Sequence, residues 1–210
     1  MSKKTIRKPS LAPMAALVVL PLFGLVLWHH VLGLTRTVQY EFDLRPGEIA
    51  RIRGVVPAPE PVGVPVRIII PSIAVDAAIE QVALTDEGAM DTPERPLDAA
   101  WYELGPRPGE TGSAAIAGHV DWYDGETGVF ADLHKIKAGD TITVRDEDGS
   151  DVSFIVRESR NYDAAADAKE VFSSNDGKAH LSVITCTGAW DKRAGQYEKR
   201  LVVFADRETR

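Results

Sequence analysis

The chain has a single cysteine, Cys186, in 210 residues. One thiol cannot close an intramolecular disulfide, and it cannot build a thiolate zinc site without partners. Histidine is scarce as well: of 5, His29 and His30 lie at the end of an apolar N-terminal run, which leaves His119, His134 and His180 for the remainder. Positive charge is in deficit. Four basic residues, Lys3, Lys4, Arg7 and Lys8, stand in the first ten, and beyond them 20 Lys and Arg face 31 Asp and Glu, a net −11. That balance argues against a nucleic-acid partner, which calls for a basic patch, and against attachment to anionic lipid by surface charge. No internal repeat occurs, and helix-like stretches are brief.

What is present begins with the N-terminus. Residues 11–34 carry no charged side chain, and the run exceeds the roughly 20 apolar residues that cross a bilayer; Pro13 and Pro21 are tolerated in such a helix. A cleaved signal peptide starts in the same way, but the sequence after Trp28 offers no small-x-small cleavage site. The expectation is therefore an uncleaved transmembrane anchor over residues 11–34. The basic tail, residues 1–10, stays in the cytoplasm and the rest lies outside the cell membrane. No second apolar span follows. Residues 35–63 end in the Pro-rich stretch around Pro57, Pro59 and Pro61, which favours an extended, semi-rigid spacer. A globular domain is expected over residues 64–210.

Within that domain strands dominate. Val66 to Ile70 reads as a strand closed by Pro71, and Val75 to Val82 as a second. Residues 83–108 read mostly as loops, and Gly112 to Gly118 as a small-residue strand that lets other elements pack closely. Residues 129–133 suggest a helical turn. Ile142 and Val144, then Val152, Phe154 and Val156, alternate with polar residues across an Asp-Gly turn, the pattern of a hairpin. The acidic run from Asp146 to Asp151 lacks the spacing of an EF-hand loop and reads as that turn. Residues 164–173 make a short helix at best, and Leu201 to Ala205 a final strand. The sum is a mainly β fold, a closed or nearly closed barrel with short helices.

Leu181-Ser182-Val183-Ile184-Thr185-Cys186 reads as a buried strand that ends on the cysteine, with Gly188 letting the backbone turn away. A cysteine there is either a small core residue or a nucleophile. A nucleophile needs a base or cation beside it, because the thiolate attacks. His180 opens the same strand, about 20 Å away when extended, and His134 sits among charged residues on an expected solvent face. His119 follows the small-residue strand and could meet a strand-end cysteine; a hydrogen-bonded structural histidine is the alternative. Zinc would need ligands beyond His119 that the sequence does not supply nearby, so neither metal nor cofactor is expected. Attack on a carbonyl also needs a donor for the oxyanion. Arg200 falls beside Cys186 if residues 188–196 join adjacent strands. Arg193, inside that loop, is the reserve, and a solvated strand-edge arginine is the plain alternative.

Taken together, Ala115-Ile116-Ala117-Gly118-His119-Val120, Ser182-Val183-Ile184-Thr185-Cys186 and Tyr197 to Ala205 resemble the histidine, cysteine and arginine motifs of sortases, membrane-anchored cysteine transpeptidases of Gram-positive surfaces. Ser182 and Val183 depart mildly from the family's Thr-Leu-x-Thr-Cys strand. The resemblance covers roughly residues 64–206 and implies an eight-stranded β-barrel. It implies Cys186 as nucleophile, His119 as general acid and base, Arg200 as stabiliser of substrate and oxyanion, and Thr185 as a residue lining the substrate pocket. The implied partners are sorting-signal peptides of the Leu-Pro-x-Thr-Gly kind and an amine acceptor in the cell wall or a pilin. With one anchor and no Asp-Pro-aromatic lid motif, the chain is similar to the actinobacterial class E and F forms. Two rivals remain. An L,D-transpeptidase would carry Ser-x-Gly-Cys-x-Arg around its nucleophile, which the residues around Cys186 do not match. A membrane-tethered binding module would keep Cys186 buried and inert.

Overall fold

The computed structural model describes residues 62–209. The expected tail and anchor, and all of the expected spacer but its last two residues, lie outside them.

Eight strands make the domain: β1 (Pro65–Ile70), β2 (Val75–Val82), β3 (Ala99–Tyr102), β4 (Gly112–Gly118), β5 (Thr141–Asp146), β6 (Asp151–Asp163), β7 (Ala179–Asp191) and β8 (Gln196–Arg207). They close into a barrel in the order β1-β2-β3-β4-β7-β8-β6-β5, with β5 returning to β1. Closure removes the exposed sheet edges that would otherwise invite pairing with other chains. Two of the pairings are parallel, β2 with β3 and β4 with β7, and each needs a crossover because parallel neighbours cannot be joined by a tight turn. The β2–β3 crossover, residues 83–98, runs over the outside. A helix, α1 (Lys169–Phe172), lies in the β6–β7 connection.

Period-2 alternation decides what faces inward. Ile68 and Ile70 of β1, Ala114 and Ile116 of β4, Ile142 and Val144 of β5, and Phe154 and Val156 of β6 are buried together with Leu181 and Val183 of β7 and Leu201 and Val203 of β8. A second, smaller cluster lies outside the barrel wall, where Val171 of α1 covers Val202 and Phe204 of β8. The outer face of β8 is thus apolar along one part and free along another.

The strands expected from alternation are there, but two readings need correction. Ala99–Tyr102 is a strand where the sequence suggested loop: its Ala-Ala-Trp-Tyr run is too short to show a period, and it is held by pairing on both sides, with β2 and with β4. β7 also does not end at Cys186. Gly188, at φ +85°, takes up a register shift between Thr187 and Trp190, and the strand continues to Asp191. A glycine in the left-handed region here makes a bulge rather than a terminus.

Candidate active site

Three outer-face side chains come together at one end of β4, β7 and β8. On β7 Leu181 and Val183 point into the core, so Cys186, in the opposite phase, points out. On β8 Leu201 and Val203 point in, which puts Arg200 on the outside. Cys186 and Arg200 are direct cross-strand partners, a position that brings side chains into contact range. The β4–β7 register ends at Ala117 paired with Ile184; two residues further along each chain stand His119 and Cys186. His119, Cys186 and Arg200 therefore share one surface, and all three line a cleft of about 600 Å³.

Two of them, His119 and Arg200, are held by hydrogen bonds. The His119 Nε2 lies 2.9 Å from the carbonyl oxygen of Pro93. A carbonyl only accepts, so Nε2 carries a hydrogen and Nδ1 is the nitrogen left to exchange protons. The ring also meets Trp122 edge to face, centroids 4.6 Å apart. Behind it the chain folds back so tightly that a Cβ on Gly128 would lie 2.3 Å from the His119 carbonyl oxygen. Arg200 donates from one terminal nitrogen to the carbonyls of Tyr197, at 2.9 Å, and Lys199, and from the other to the Gln196 side chain. These bonds run toward the turn, leaving the guanidinium in the cleft beside the sulfur.

Thr185 lines the same cleft, but its side chain is buried at 4 % exposure and its hydroxyl donates to the Gly118 carbonyl at 2.8 Å. It ties the residue before Cys186 to the residue before His119. Its geometry is that of a positioning residue, with the hydroxyl engaged across the β4–β7 seam. Arg193 sits in the exposed β7–β8 turn and lines neither this cleft nor its neighbour. His134 is exposed, with Nδ1 against the Ala131 carbonyl. His180, at the far end of β7, is bracketed by Asp206 and Asp176.

The electrostatics around the sulfur pull in two directions. Burial pushes the Cys186 thiol above its ordinary value; the Arg200 charge works against that, and the Asp121 carboxylate adds to it. Asp121 was not legible as a site residue from the sequence, although it stands two positions beyond His119. Its carboxylate accepts a hydrogen bond from the Tyr197 hydroxyl, and that bond pushes the Tyr197 phenol up to about 12. The pair lines a second cleft of about 500 Å³, which shares only His119 and Cys186 with the first. The Pro93 carbonyl that fixes the His119 tautomer is main chain, so no residue type could have announced it. Among the described residues no group of three or more His, Cys, Asp or Glu is placed to hold a metal ion.

The arrangement sets a thiol and an imidazole with one free nitrogen at the junction of two clefts, with a fixed cation in the larger one. That is equipment for acyl transfer through sulfur. Residues 68–208 match the family model of the Sortase domain. Solved structures with the same fold include sortase A from Corynebacterium diphtheriae, 21% identical over 70% of this chain and 61% of that one, TM-score 0.54. They also include sortase C-1 from Actinomyces oris, 21% identical over 69% of this chain and 72% of that one, TM-score 0.54. The sortase C1 of Group B Streptococcus pilus island 1 is 19% identical over 69% of this chain, which spans 64% of that protein's length, TM-score 0.52. No curated protein sequence matches the chain.

Proposed function

This chain belongs to the sortase family, and from that premise we propose that it is a cell-surface cysteine transpeptidase. It cleaves a sorting signal of the Leu-Pro-x-Thr-Gly kind between Thr and Gly and passes the acyl group to an amine. The observation that supports this reading most is the register: Cys186 opposite Arg200, with His119 level with both across the β4–β7 pair.

The chemistry follows from the groups. Because burial disfavours the thiolate, the Cys186 proton must be taken up as the reaction starts, and Nδ1 of His119 is the acceptor within the cleft. The sulfur attacks the Thr carbonyl, a C–S bond forms, and the carbonyl electron pair moves to oxygen, where the Arg200 guanidinium offsets the charge. On collapse the C–N bond breaks and His119 returns its proton to the leaving glycine amine. The thioester then waits for an incoming amine. Nitrogen attacks, the C–S bond breaks, and the proton released from nitrogen passes through His119 to the thiolate.

In this reading residues 11–34 hold the enzyme in the membrane, residues 1–10 remain cytoplasmic and residues 35–63 space the barrel from the bilayer. The apolar wall of the larger cleft, with Leu84, Met90, Tyr102, Phe172, Ile184 and Val202 among its residues, suits the apolar start of a sorting signal. The lack of an Asp-Pro-aromatic motif favours a class E or F type. The natural substrates would be secreted surface proteins, and the acceptor an amine of the wall precursor or of a pilin.

The test uses the full chain in detergent with Leu-Pro-x-Thr-Gly and Leu-Ala-x-Thr-Gly peptides and triglycine, read by mass spectrometry. Cleavage at Thr–Gly, a thioester on Cys186 and the amine adduct are expected with the wild type, and none of them with Cys186→Ala. A Cys186→Ala protein that retains transfer would refute the mechanism. A folded wild type whose thiol stays unreactive would favour the binding module.

A further inference from the structure

The second cleft carries chemistry that the acyl step does not use. Its walls are Trp122, Tyr123, Trp190 and Tyr197, and Asp121 is the one charged side chain among the described residues lining it. The aromatics form two edge-to-face pairs, Trp122 with Tyr123 at 4.8 Å and Trp190 with Tyr197 at 5.2 Å. They are not core residues: Tyr123 is 76% exposed and Trp190 53%. Large rings left in water around one carboxylate are what binds an alkylammonium, since the ring faces attract cations and the carboxylate adds charge. One carboxylate oxygen of Asp121 receives the Tyr197 hydroxyl, and the other has no partner among the described residues.

The position of this cleft matters as much as its composition. It meets the larger cleft only at Cys186 and His119, and Arg200 belongs to the larger one alone. With the acyl carbon on sulfur and its oxygen toward Arg200, the acyl chain fills the Arg200 side, and the face left for a nucleophile opens on the aromatic side.

We propose that the cleft of Asp121, Trp122, Trp190 and Tyr197 is the acceptor site, and that it selects a primary amine with no carboxylate on the same carbon. This rests on the transpeptidase reading above. A lysine-type ε-amine, or the amino terminus of a glycine peptide, arrives as an ammonium that Asp121 attracts. A diamino-acid amine with a carboxylate beside it would bring that carboxylate against Asp121, and like charges at such range repel. The proton count is closed: the ammonium loses one proton to solvent to become nucleophilic, attacks the thioester carbon, and loses a second to His119 as the C–S bond breaks. His119 hands that proton to Cys186, so the acceptor half of the reaction releases one proton to solvent and regenerates the thiol, and the glycine amine that left in the first half takes one up as it becomes an ammonium.

The experiment measures, from one acyl-enzyme, the ratio of amine adduct to hydrolysis product. Cadaverine, triglycine and meso-diaminopimelate serve as acceptors for the wild type, Asp121→Asn and Trp190→Ala, each as the full chain. A ratio cancels changes in the acylation rate. Cadaverine and triglycine are expected to outcompete diaminopimelate with the wild type. Asp121→Asn should lower the cadaverine ratio about threefold to fivefold and narrow the gap to diaminopimelate, and Trp190→Ala should lower it by a similar factor. A binding readout stands apart from turnover: cadaverine should shift the indole N–H resonances of Trp122 and Trp190 in the Cys186→Ala protein. Those shifts should weaken with added salt. Equal ratios in the wild type and Asp121→Asn, or a preference for diaminopimelate, would overturn the proposal while leaving the transpeptidase intact. Indole resonances that cadaverine leaves unmoved would overturn it too. If no acyl-enzyme forms, the transpeptidase reading itself is at fault, and the indole shifts still decide whether the cleft takes ammonium.

Discussion

The sulfur of Cys186 sits between opposed influences, and each has a named residue. Burial and the Asp121 carboxylate favour the thiol, while Arg200 favours the thiolate. The sign is unambiguous for an acid: whatever penalises the charged form raises the pKa. Alkylation of Cys186 should therefore accelerate with pH through a midpoint above the ordinary thiol value of about 8.5. Replacing Arg200 with alanine removes the cause that lowers the pKa and should move the midpoint higher. Asp121→Asn removes one that raises it and should move the midpoint lower. The pH dependence of iodoacetamide labelling in the three proteins measures this directly, and an inverted order would show that another group governs the sulfur. The sequence singled out Cys186, His119 and Arg200 by expecting each at a strand end; His119 does follow β4, but Cys186 and Arg200 lie inside β7 and β8, and it is the cross-strand register that sets them side by side. The sequence could not reveal that Thr185, next to the sulfur, turns inward to bond Gly118, since the phase of a strand is known only once its core face is known.

At the scale of elements, the loop after β4 decides where the imidazole stands. Residues 120–128 double back, with Gly128 donating to the Val120 carbonyl and Phe130 to the His119 carbonyl. There is no room at Gly128 for a side chain: its Cβ would stand 2.9 Å from the Cβ of His119 as well as against the carbonyl. Gly128→Ala must push the His119 backbone aside. The domain should survive with a loss of about 1–3 kcal/mol, the usual range for overpacking. The kcat/KM should fall by about 10- to 100-fold, because sub-ångström placement of a catalytic group carries that much rate. Thermal melting alongside peptide cleavage separates the two effects, and a variant with wild-type kcat/KM would show that the loop does not set the histidine. This dependence was invisible in the sequence, where residues 129–133 suggested only a helical turn. Hairpin β5–β6 was legible because both its strands alternate over a long stretch around an Asp-Gly turn. β3 was not, because four residues flanked by pairings carry no period. The continuation of β7 past Gly188 was hidden for a different reason: a glycine at positive φ signals a bulge and a strand end alike.

For the whole molecule, the site depends on closure of the barrel, because β4, β7 and β8 are brought together from distant parts of the chain. In the strand order the β1–β5 seam lies across the barrel from β7. Asp146, at the end of β5 and only 6% exposed, fastens that seam. Its Oδ1 accepts the N–H groups of Asp148, at 3.1 Å, and Ser150, at 2.8 Å, which shapes the β5–β6 turn. Its Oδ2 accepts the N–H of Gly63 at 3.2 Å, where the chain comes into the domain. Arg107 holds the same segment through the Val62 carbonyl at 2.7 Å. The acidic run read from the sequence as a turn thus also joins the start of the domain to its closing strand. The two oxygens predict a graded outcome. Asp146→Asn can keep a carbonyl oxygen toward the turn but must point an amide N–H₂ at the Gly63 N–H, so one contact is lost. Asp146→Ala loses all of them and leaves buried donors unpaired, at a cost of about 2–4 kcal/mol, which for a domain of this size lowers Tm by roughly 10 °C. Calorimetry should rank the wild type above Asp146→Asn and Asp146→Ala last. Below the melting range, Asp146→Asn should retain the wild-type kcat/KM, since the seam touches none of the reacting groups. An asparagine variant as unstable as the alanine one would mean that the negative charge, rather than the two directed oxygens, holds the barrel shut.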